Sequence, residues 1–257
     1  MKNLKFALFL LSFLSFGLFA ESYKPWPELR QNFINKGGKA HAFDQVRCFL
    51  ERNSDKRFAA VKPSDSNYDR RCYDHLDFAI ENQRYFVVID YTKPSDQKRL
   101  FLVDRQTGIV TNMAVAHGRY KAIALGFRLG HLKNSVREIR YYSNEIDSNA
   151  SSSGLYVSGQ SYDGRFGDSI VLFGLEAGIN HNACERAVVI HGHSMVSDDK
   201  ARIMSSGCPM VSASNMRKLL ATIAGQKISE DDIGLLQTGS LVYIYSEREA
   251  RLNCSSF

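Results

Sequence analysis

The stretch Val188-Val-Ile-His-Gly-His193 is an apolar run of β-type residues that ends in a histidine. After a polar loop the chain continues as Ser205-Ser-Gly-Cys-Pro209, a turn-forming segment that presents a cysteine directly after a glycine. A mostly β fold can bring two such segments together although they are distant in sequence. A thiolate attacks carbonyl groups, and backbone N–H groups around a Gly-Cys turn can bind the oxyanion that forms. The two segments therefore predict an enzyme that transfers acyl groups through a cysteine.

Cys208 and His191 are the candidate catalytic pair. The small polar residues from Ser205 to Gly207 precede Cys208, and a proline follows it. These neighbours favour a reactive thiol in a turn over a buried core cysteine. His191 would accept the thiol proton and later protonate the leaving amine, although a histidine at a strand end can also be purely structural.

His193 lies two residues after His191, so both imidazoles point to the same face of an extended strand. Together with Cys208 they could bind zinc, with His181 or His117 as a further ligand. The sequence contains no His-Glu-x-x-His and no Cys-x-x-Cys motif. A cysteine acyltransferase without a metal or other cofactor is therefore the main prediction, and a zinc hydrolase is the alternative.

Four further side chains are candidates for lining the substrate site. His117 ends a β-type run before Gly118, where it either lines the site or only caps a turn. Ser205 belongs to the segment Ser205–Pro209, which we call the cysteine turn. Tyr156 could form a wall of the groove, although aromatic residues in strands are more often core. Arg165 could bind a substrate carboxylate, although an exposed arginine is more often only solvated.

Apolar patterns predict a small helical region followed by a mostly β domain. Residues 25–52 carry apolar side chains at helical spacing, and a polar segment follows at 62–67. A loop rich in Ser, Asn and Gly is predicted at 143–154, and a helix at 213–224. The predicted strands are 85–90, 100–104, 109–117, 155–158, 169–175, 187–191 and 241–246.

Residues 1–20 have the pattern of a secretory signal peptide, with Lys2 and Lys5 before an apolar run and Ala20 at a plausible cleavage point. The run is short for a membrane span, which needs about 20 apolar residues; an uncleaved anchor is the alternative. We expect secretion across the inner membrane, a periplasmic or wall-associated location, and no membrane span after signal removal. The predicted organisation is the signal peptide over 1–20, a helical N-terminal region over 21–82 and a catalytic domain over 83–257.

Charge and cysteine content narrow the class of protein. A formal net charge of +6 without a run of basic residues does not suggest a nucleic-acid partner. Five cysteines are an odd number, so at least one thiol stays unpaired within the chain in an oxidising compartment. Cys48 and Cys72 could form a disulfide, and Cys184 and Cys254 could pair or stay reduced. Such a pattern is compatible with a free Cys208.

The pattern His191-Gly192, a spacer and Ser205-Ser-Gly-Cys208 resembles the catalytic stretch of YkuD-type L,D-transpeptidases. The likeness is closest to the murein L,D-transpeptidase catalytic domain family, in which a proline follows the cysteine as Pro209 does here. It extends over about residues 83–246 and includes Val115-Ala-His-Gly118, Ser151-Ser-Ser-Gly154, Gly174-Leu-Glu176 and Asn180-His-Asn-Ala183.

The resemblance implies a mostly β, L,D-transpeptidase-like catalytic domain that acts on peptidoglycan stem peptides. Such an enzyme attacks the L,D-bond before the terminal D-alanine of a tetrapeptide donor and forms an acyl-enzyme on its cysteine. An amine acceptor then gives a 3→3 cross-link, an attached protein or an exchanged D-amino acid. Water as the acceptor would make the enzyme an L,D-carboxypeptidase instead.

By motif position, the resemblance assigns the nucleophile to Cys208 and the base to His191. The backbone carbonyl that orients the histidine would fall near Gly192 or His193. The oxyanion donors would fall on the backbone around Ser206, Gly207 and Cys208.

The chain departs from the family pattern at two positions. Many YkuD-type enzymes carry His or Lys where this chain has Ser206, and Asn or Arg where it has Met210. The help that those side chains give to substrate binding and to the oxyanion is therefore absent or supplied from elsewhere. A non-catalytic wall-binding protein with a degenerate site is a further alternative.

Overall fold

The computed structural model describes residues 22–59, 77–124, 127–225 and 237–247, with side chains for all of these except 77–78, 121–131 and 237–238. Strands outweigh helices in this part of the chain, and two of the helices lie at its N-terminal end. The predicted mostly β fold with a helical N-terminal region is confirmed. The predicted signal peptide and the polar segment at 62–67 lie outside the described residues. No helix within these ranges has the length and apolar character needed to span a bilayer.

Three helices form in the described residues: α1 at Trp26–Asn35, α2 at Ala40–Asn53 and α3 at Ala213–Thr222. The predicted helical segment 25–52 is divided because Gly37 turns the chain with a φ of +85°. A Cβ on the next residue, Gly38, would lie 2.1 Å from the Phe33 ring, so only glycine fits there. α3 begins as predicted, and the Ser212 hydroxyl caps it by accepting from the Asn215 N–H at 3.2 Å.

The described residues contain thirteen strands. The predicted strands correspond to seven of them, although the strand from 110 ends at Met113 and the strand from 154 continues to Gly164. The strands are β1 Arg57–Ala59, β2 Asp77–Ala79, β3 Tyr85–Asp90, β4 Leu100–Asp104, β5 Val110–Met113, β6 Lys121–Ala124, β7 Phe127–Leu132, β8 Gly154–Gly164, β9 Gly167–Gly174, β10 Val189–Gly192, β11 Met210–Val211, β12 Gln237–Thr238 and β13 Leu241–Tyr245.

Eight strands form the main sheet, in the order β11-β10-β9-β8-β13-β3-β4-β5. Neighbouring strands are antiparallel except for β10 with β11 and β13 with β3, which are parallel. β13 lies between β8 and β3 and joins the two halves of the sheet. Two smaller sheets consist of β1-β2-β12 and β6-β7.

The main sheet has two apolar faces. One cluster of buried residues lies between the sheet and α1 and α2, and a second lies between the sheet and α3. Along β3, Phe86 and Val87 belong to different clusters, because successive strand residues point to opposite faces. Along β10, Val189 belongs to the α1–α2 cluster and Ile190 to the α3 cluster. The following residue, His191, is therefore on the Val189 side.

Candidate active site

The two segments that carry the predicted catalytic pair are neighbouring strands at one edge of the main sheet. β10 pairs in parallel with β11, and His191 is the register partner of Met210. The His191 N–H donates to the Pro209 carbonyl at 3.3 Å. Cys208 comes one residue before this hydrogen bond, so the cysteine turn is held beside the end of β10.

Cys208 and His191 also share one face of the sheet. Cys208 is half-buried and packs against the cluster that contains Val189. His191 points to the same side, because side chains alternate along β10, and it is 3% exposed. The fold therefore brings the predicted nucleophile and base to one face at one edge of the sheet.

The Cys208 thiol is a hydrogen-bond donor to backbone. Its Sγ lies 3.6 Å from the Ala187 carbonyl oxygen, which is its hydrogen-bond partner among the described residues. Burial raises the pKa of the thiol above that of an ordinary cysteine. The backbone N–H of Val189, the Arg186 guanidinium and the N–H of Cys208 itself act in the opposite direction, because each stabilises a thiolate.

The other cysteines in the described residues are not available as nucleophiles. Cys48 and Cys184 are each disulfide-bonded, whereas Cys208 carries a free thiol. Cys72 and Cys254, the partners considered from the sequence, lie outside the described residues.

The His191 ring is oriented by a backbone carbonyl and by an aromatic ring. Nδ1 lies 2.9 Å from the Gly192 carbonyl oxygen. Because a carbonyl only accepts, Nδ1 carries the proton, and Nε2 of the neutral ring is the proton acceptor. Phe166 stacks on the ring, with the two centroids 4.6 Å apart. Burial, the largest influence, lowers the pKa of His191, although the Gly192 hydrogen bond acts against it.

Thiol and imidazole are both neutral in this resting arrangement. The pKa of Cys208 is raised and that of His191 is lowered, and both shifts disfavour a thiolate–imidazolium pair. Among the described contacts the thiol donates to Ala187 and not to His191.

The cysteine turn depends on Gly207. Its φ of +126° is a conformation that favours glycine, and a Cβ there would lie 2.9 Å from the Ala150 carbonyl oxygen. The Gly207 N–H donates to the Ser205 hydroxyl at 3.0 Å, so this predicted oxyanion donor is already engaged. The Gly207 carbonyl accepts from the Ser151 hydroxyl at 3.0 Å, and that hydroxyl accepts from the Gly118 N–H at 2.9 Å.

Two arginines near the turn were not predicted from the sequence. Arg119 donates to the exposed Ser206 hydroxyl at 2.9 Å. Arg186 comes five residues before His191, and its guanidinium donates to backbone carbonyls of the loop at 143–152. Local sequence gives little signal for either residue, because an arginine beside a strand is usually solvated.

His117 and Tyr156 do not line the site, which corrects the expectation from the sequence. Both residues are 0% exposed. His117 Nδ1 accepts from the Arg99 guanidinium at 2.7 Å, and its Nε2–H donates to the Ser135 carbonyl at 3.0 Å. Burial is the main cause that lowers the pKa of His117 to about 3, and the charge of Arg99 acts in the same direction. The Tyr156 hydroxyl donates to the Ser152 carbonyl at 3.0 Å inside the core.

The surface next to His191 is formed by the β8–β9 turn and the end of β10. Phe166 is 54% exposed although it stacks on the buried imidazole. With His193 it lines a pocket of about 400 Å³ that extends to α3. Arg165 is exposed in the same turn, with its guanidinium 5.7 Å from the Phe166 centroid. Ser205 is buried within the cysteine turn.

The zinc alternative finds no support in the part of the chain that the structure describes. Within it, no group of three or more His, Cys, Asp or Glu side chains is placed to hold a metal ion. His193 Nδ1 accepts from the Met195 N–H at 3.1 Å, and His181 Nδ1 accepts from the Gly178 N–H at 2.9 Å.

The sequence matches a known protein family over a range that includes this edge of the sheet. Residues 60–229 match the YkuD_2 family, described as the L,D-transpeptidase catalytic domain. This match covers more than half of the 257 residues and includes both β10 and the cysteine turn. The chain belongs to the L,D-transpeptidase catalytic domain family.

Solved structures that resemble the chain are distant from it. An L,D-transpeptidase from Mycobacterium smegmatis has 10% identity and a TM-score of 0.32, over 63% of this chain and 59% of that one. The helical cell shape determining protein Pgp2 of Campylobacter jejuni has 12% identity and a TM-score of 0.38, over 68% and 51%. An L,D-transpeptidase from Stackebrandtia nassauensis has 12% identity and a TM-score of 0.33, over 85% and 76%. The chain thus spans only 51–59% of the length of the first two. A search of curated proteins found no match.

Proposed function

We propose that this L,D-transpeptidase-family enzyme is an exported cysteine acyltransferase that cleaves the L,D-bond before the terminal D-alanine of peptidoglycan stem peptides. The acyl group would be held on Cys208 and then passed to an amine, giving a 3→3 cross-link or an exchanged D-amino acid. Water as acceptor would give L,D-carboxypeptidase activity from the same intermediate. Export is supported by the signal-peptide pattern of residues 1–20.

The observation that carries the proposal is the juxtaposition of Cys208 and His191. A free, half-buried thiol lies on the turn that hydrogen-bonds to the His191 backbone. The His191 imidazole, on the same face of the sheet, has Nδ1 fixed by the Gly192 carbonyl, so the lone pair of Nε2 is the one that can take a proton. A nucleophile, a base and a group that orients the base are the three parts that covalent acyl transfer requires.

The proposed reaction has two steps. Cys208 gives its proton to His191 Nε2 while the sulfur attacks the carbonyl of the L,D-bond. The backbone N–H groups of Val189 and Cys208, which favour negative charge at the sulfur, are the best candidates to stabilise the oxyanion, because the Gly207 N–H is engaged by Ser205.

Collapse of the tetrahedral intermediate breaks the C–N bond, and the imidazolium protonates the leaving D-alanine amine. In the second step the acceptor attacks the thioester and loses its proton to the neutral imidazole. The sulfur then leaves and regains a proton from the imidazolium. The lowered pKa of His191 favours the two transfers in which the imidazolium gives up its proton, and it keeps the ring neutral between the steps.

The test incubates purified protein with disaccharide-tetrapeptides and follows D-alanine release and the intact mass of the protein. We expect a thioester adduct on wild-type Cys208, and loss of D-alanine release by more than about 10³-fold in Cys208→Ala and His191→Gln. Met195→Ala, which changes an exposed side chain on the loop between the two segments, is the control and should retain activity.

Unchanged D-alanine release in Cys208→Ala would overturn the proposal, and release abolished by a metal chelator would favour the zinc alternative. Adding a D-amino acid during turnover identifies the acceptor, because exchange and hydrolysis give products of different mass.

A further inference from the structure

We propose that Arg186 is a positioning residue whose positive charge favours the thiolate form of Cys208. The same side chain holds the 143–152 loop against the cysteine turn. The inference deepens the proposed function, on which its catalytic meaning rests. It assigns to a side chain outside the sequence motif the positive charge that the motif positions Ser206 and Met210 do not provide.

The Arg186 guanidinium is fixed in place by one loop. Nη1 donates to the Ser143 carbonyl at 2.8 Å and to the Ser152 hydroxyl. Nη2 donates to the Ala150 carbonyl and, at 3.3 Å, to the Ser148 hydroxyl. Four donated hydrogen bonds restrain an otherwise flexible side chain, so the position of its charge is set by the fold.

The positive charge of Arg186 lies against the cysteine turn. A Cβ on Gly207 would come within 3.4 Å of Arg186 Nη2, so the guanidinium is next to the residue that precedes Cys208. The residue after Arg186 is Ala187, whose carbonyl accepts from the Cys208 thiol at 3.6 Å. The guanidinium of Arg186 is therefore close to Gly207, and the backbone of the next residue accepts the hydrogen bond from the Cys208 thiol.

The electrostatic consequence follows from burial. A half-buried thiol in apolar surroundings resists ionisation, and a nearby positive charge offsets that cost. The guanidinium lowers the pKa of the Cys208 thiol against the larger effect of burial, and reciprocally the thiolate raises the pKa of Arg186, which burial lowers. Without the arginine, burial would act on the thiol with less opposition.

A purely structural role of Arg186 and an electrostatic effect of Arg186 on Cys208 predict different results. If Arg186 only supports the loop, its replacement lowers the stability of the fold but leaves the titration of Cys208 unchanged. If its charge acts on the sulfur, the thiol titrates at higher pH even in molecules that remain folded. The pH dependence of thiol reactivity separates the two roles.

The experiment measures the rate of iodoacetamide alkylation of Cys208 from pH 6 to pH 11, with the modified site identified by mass spectrometry. The proteins are the full chain as wild type, Arg186→Gln and Arg186→Lys. Arg140→Gln is the matched control, because Arg140 also carries a positive charge in this part of the chain but its side chain is 73% exposed and pairs with Glu138.

We expect the midpoint of the Arg186→Gln profile to rise by about one pH unit, with an alkylation rate at pH 8 about tenfold lower than in wild type. Arg186→Lys, which keeps the charge, should recover most of this loss, and Arg140→Gln should match wild type. A midpoint in Arg186→Gln equal to that of Arg140→Gln would overturn the inference.

If Arg186→Gln does not fold, Ser152→Ala carries the test, because it removes one acceptor that fixes the guanidinium. A smaller rise in the midpoint is then expected, and no rise would overturn the inference. The result does not depend on the substrate: absence of an acyl-enzyme with tetrapeptide would refute the proposed function and leave the alkylation comparison intact.

Discussion

His191 and Met210 are register partners in a parallel strand pair in which β11 is only two residues long. This short pairing, with the hydrogen bond from the His191 N–H to the Pro209 carbonyl, aligns the strand that carries the imidazole with the turn that carries the thiol. Four changes test how the surroundings of this pair support it.

Phe166→Leu should move the acidic limb of the activity profile to higher pH. Burial lowers the pKa of His191, and the Phe166 ring covers that imidazole. Removing the ring lets water reach the imidazole, so its pKa moves back towards that of an ordinary histidine. Since the neutral ring is the proposed base, we expect activity to be lost at a higher pH as the solution is acidified. An NMR titration of the His191 ring measures the shift directly.

Phe166→Tyr is the control for this change, because it keeps an aromatic ring over the imidazole. Its titration should resemble that of wild type. Identical midpoints in Phe166→Leu and wild type would show that Phe166 does not shield His191.

Gly207→Ala should cost more stability than Gly178→Ala. Both glycines have positive φ, +126° and +75°, so each substitution strains the backbone by about 1–2 kcal/mol. Only the Gly207 substitution also drives a Cβ to 2.9 Å from the Ala150 carbonyl, whereas nothing lies within 4 Å of a Cβ on Gly178. Urea unfolding of the two variants measures the difference. Equal losses would mean that the cysteine turn adjusts to the methyl group at no cost.

In Ser151→Ala, the rate of acyl-enzyme formation should fall by more than the loss of folded protein explains. Its hydroxyl links the Gly207 carbonyl to the Gly118 N–H, and losing both hydrogen bonds leaves a buried carbonyl and a buried N–H unpaired. Such a loss costs about 1–3 kcal/mol, and part of it would appear as movement of the turn. Mass spectrometry of the acyl-enzyme, compared with urea unfolding, checks this. An unchanged acylation rate in a destabilised variant would restrict Ser151 to a structural role.

His117→Gln should flatten the loss of stability in acid. The folded-state pKa of His117 is about 3, against 6.5 for an ordinary histidine. Below pH 6.5 the unfolded chain therefore binds a proton that the folded chain does not, and the free energy of unfolding falls as the pH drops from 6.5 towards 3. The slope is at most about 1.4 kcal/mol per pH unit. Glutamine can still accept from Arg99 and donate to the Ser135 carbonyl, but it does not titrate.

Urea unfolding at pH 7 and pH 4.5 provides the comparison for His117→Gln. The variant should lose less stability than wild type between the two values, and the pH 7 measurement is the internal control for any change in packing. Equal losses would contradict the assignment of a neutral His117 in the folded state.

The candidate pair could be proposed from the sequence because its signals are local. His191 ends an apolar run and Cys208 sits in a Ser-Gly-Pro turn, and both patterns can be recognised without knowing what packs on them. Neither Tyr156 nor His117 could be assigned this way, because their complete burial is decided by contacts with distant segments. An aromatic residue in a strand looks the same in sequence whether it faces a groove or the core.

Arg186 was missed for a related reason. Its partners lie about forty positions earlier in the chain, at Ser143, Ser148, Ala150 and Ser152, and its charge suggests a solvated surface residue. The strand β11 escaped prediction because two residues are too few to show a period. The division of the helical segment at Gly37 and Gly38 is the opposite case, since adjacent glycines are a local signal.

The central place of β13 has a consequence for biogenesis. In the part of the main sheet that the structure describes, β8 and β3 are joined through this strand, at Leu241–Tyr245, which is synthesised last of the eight. Until it is inserted, the nascent polypeptide holds two open half-sheets with unpaired edges. Closure of the main sheet must therefore wait until residue 245 has been synthesised.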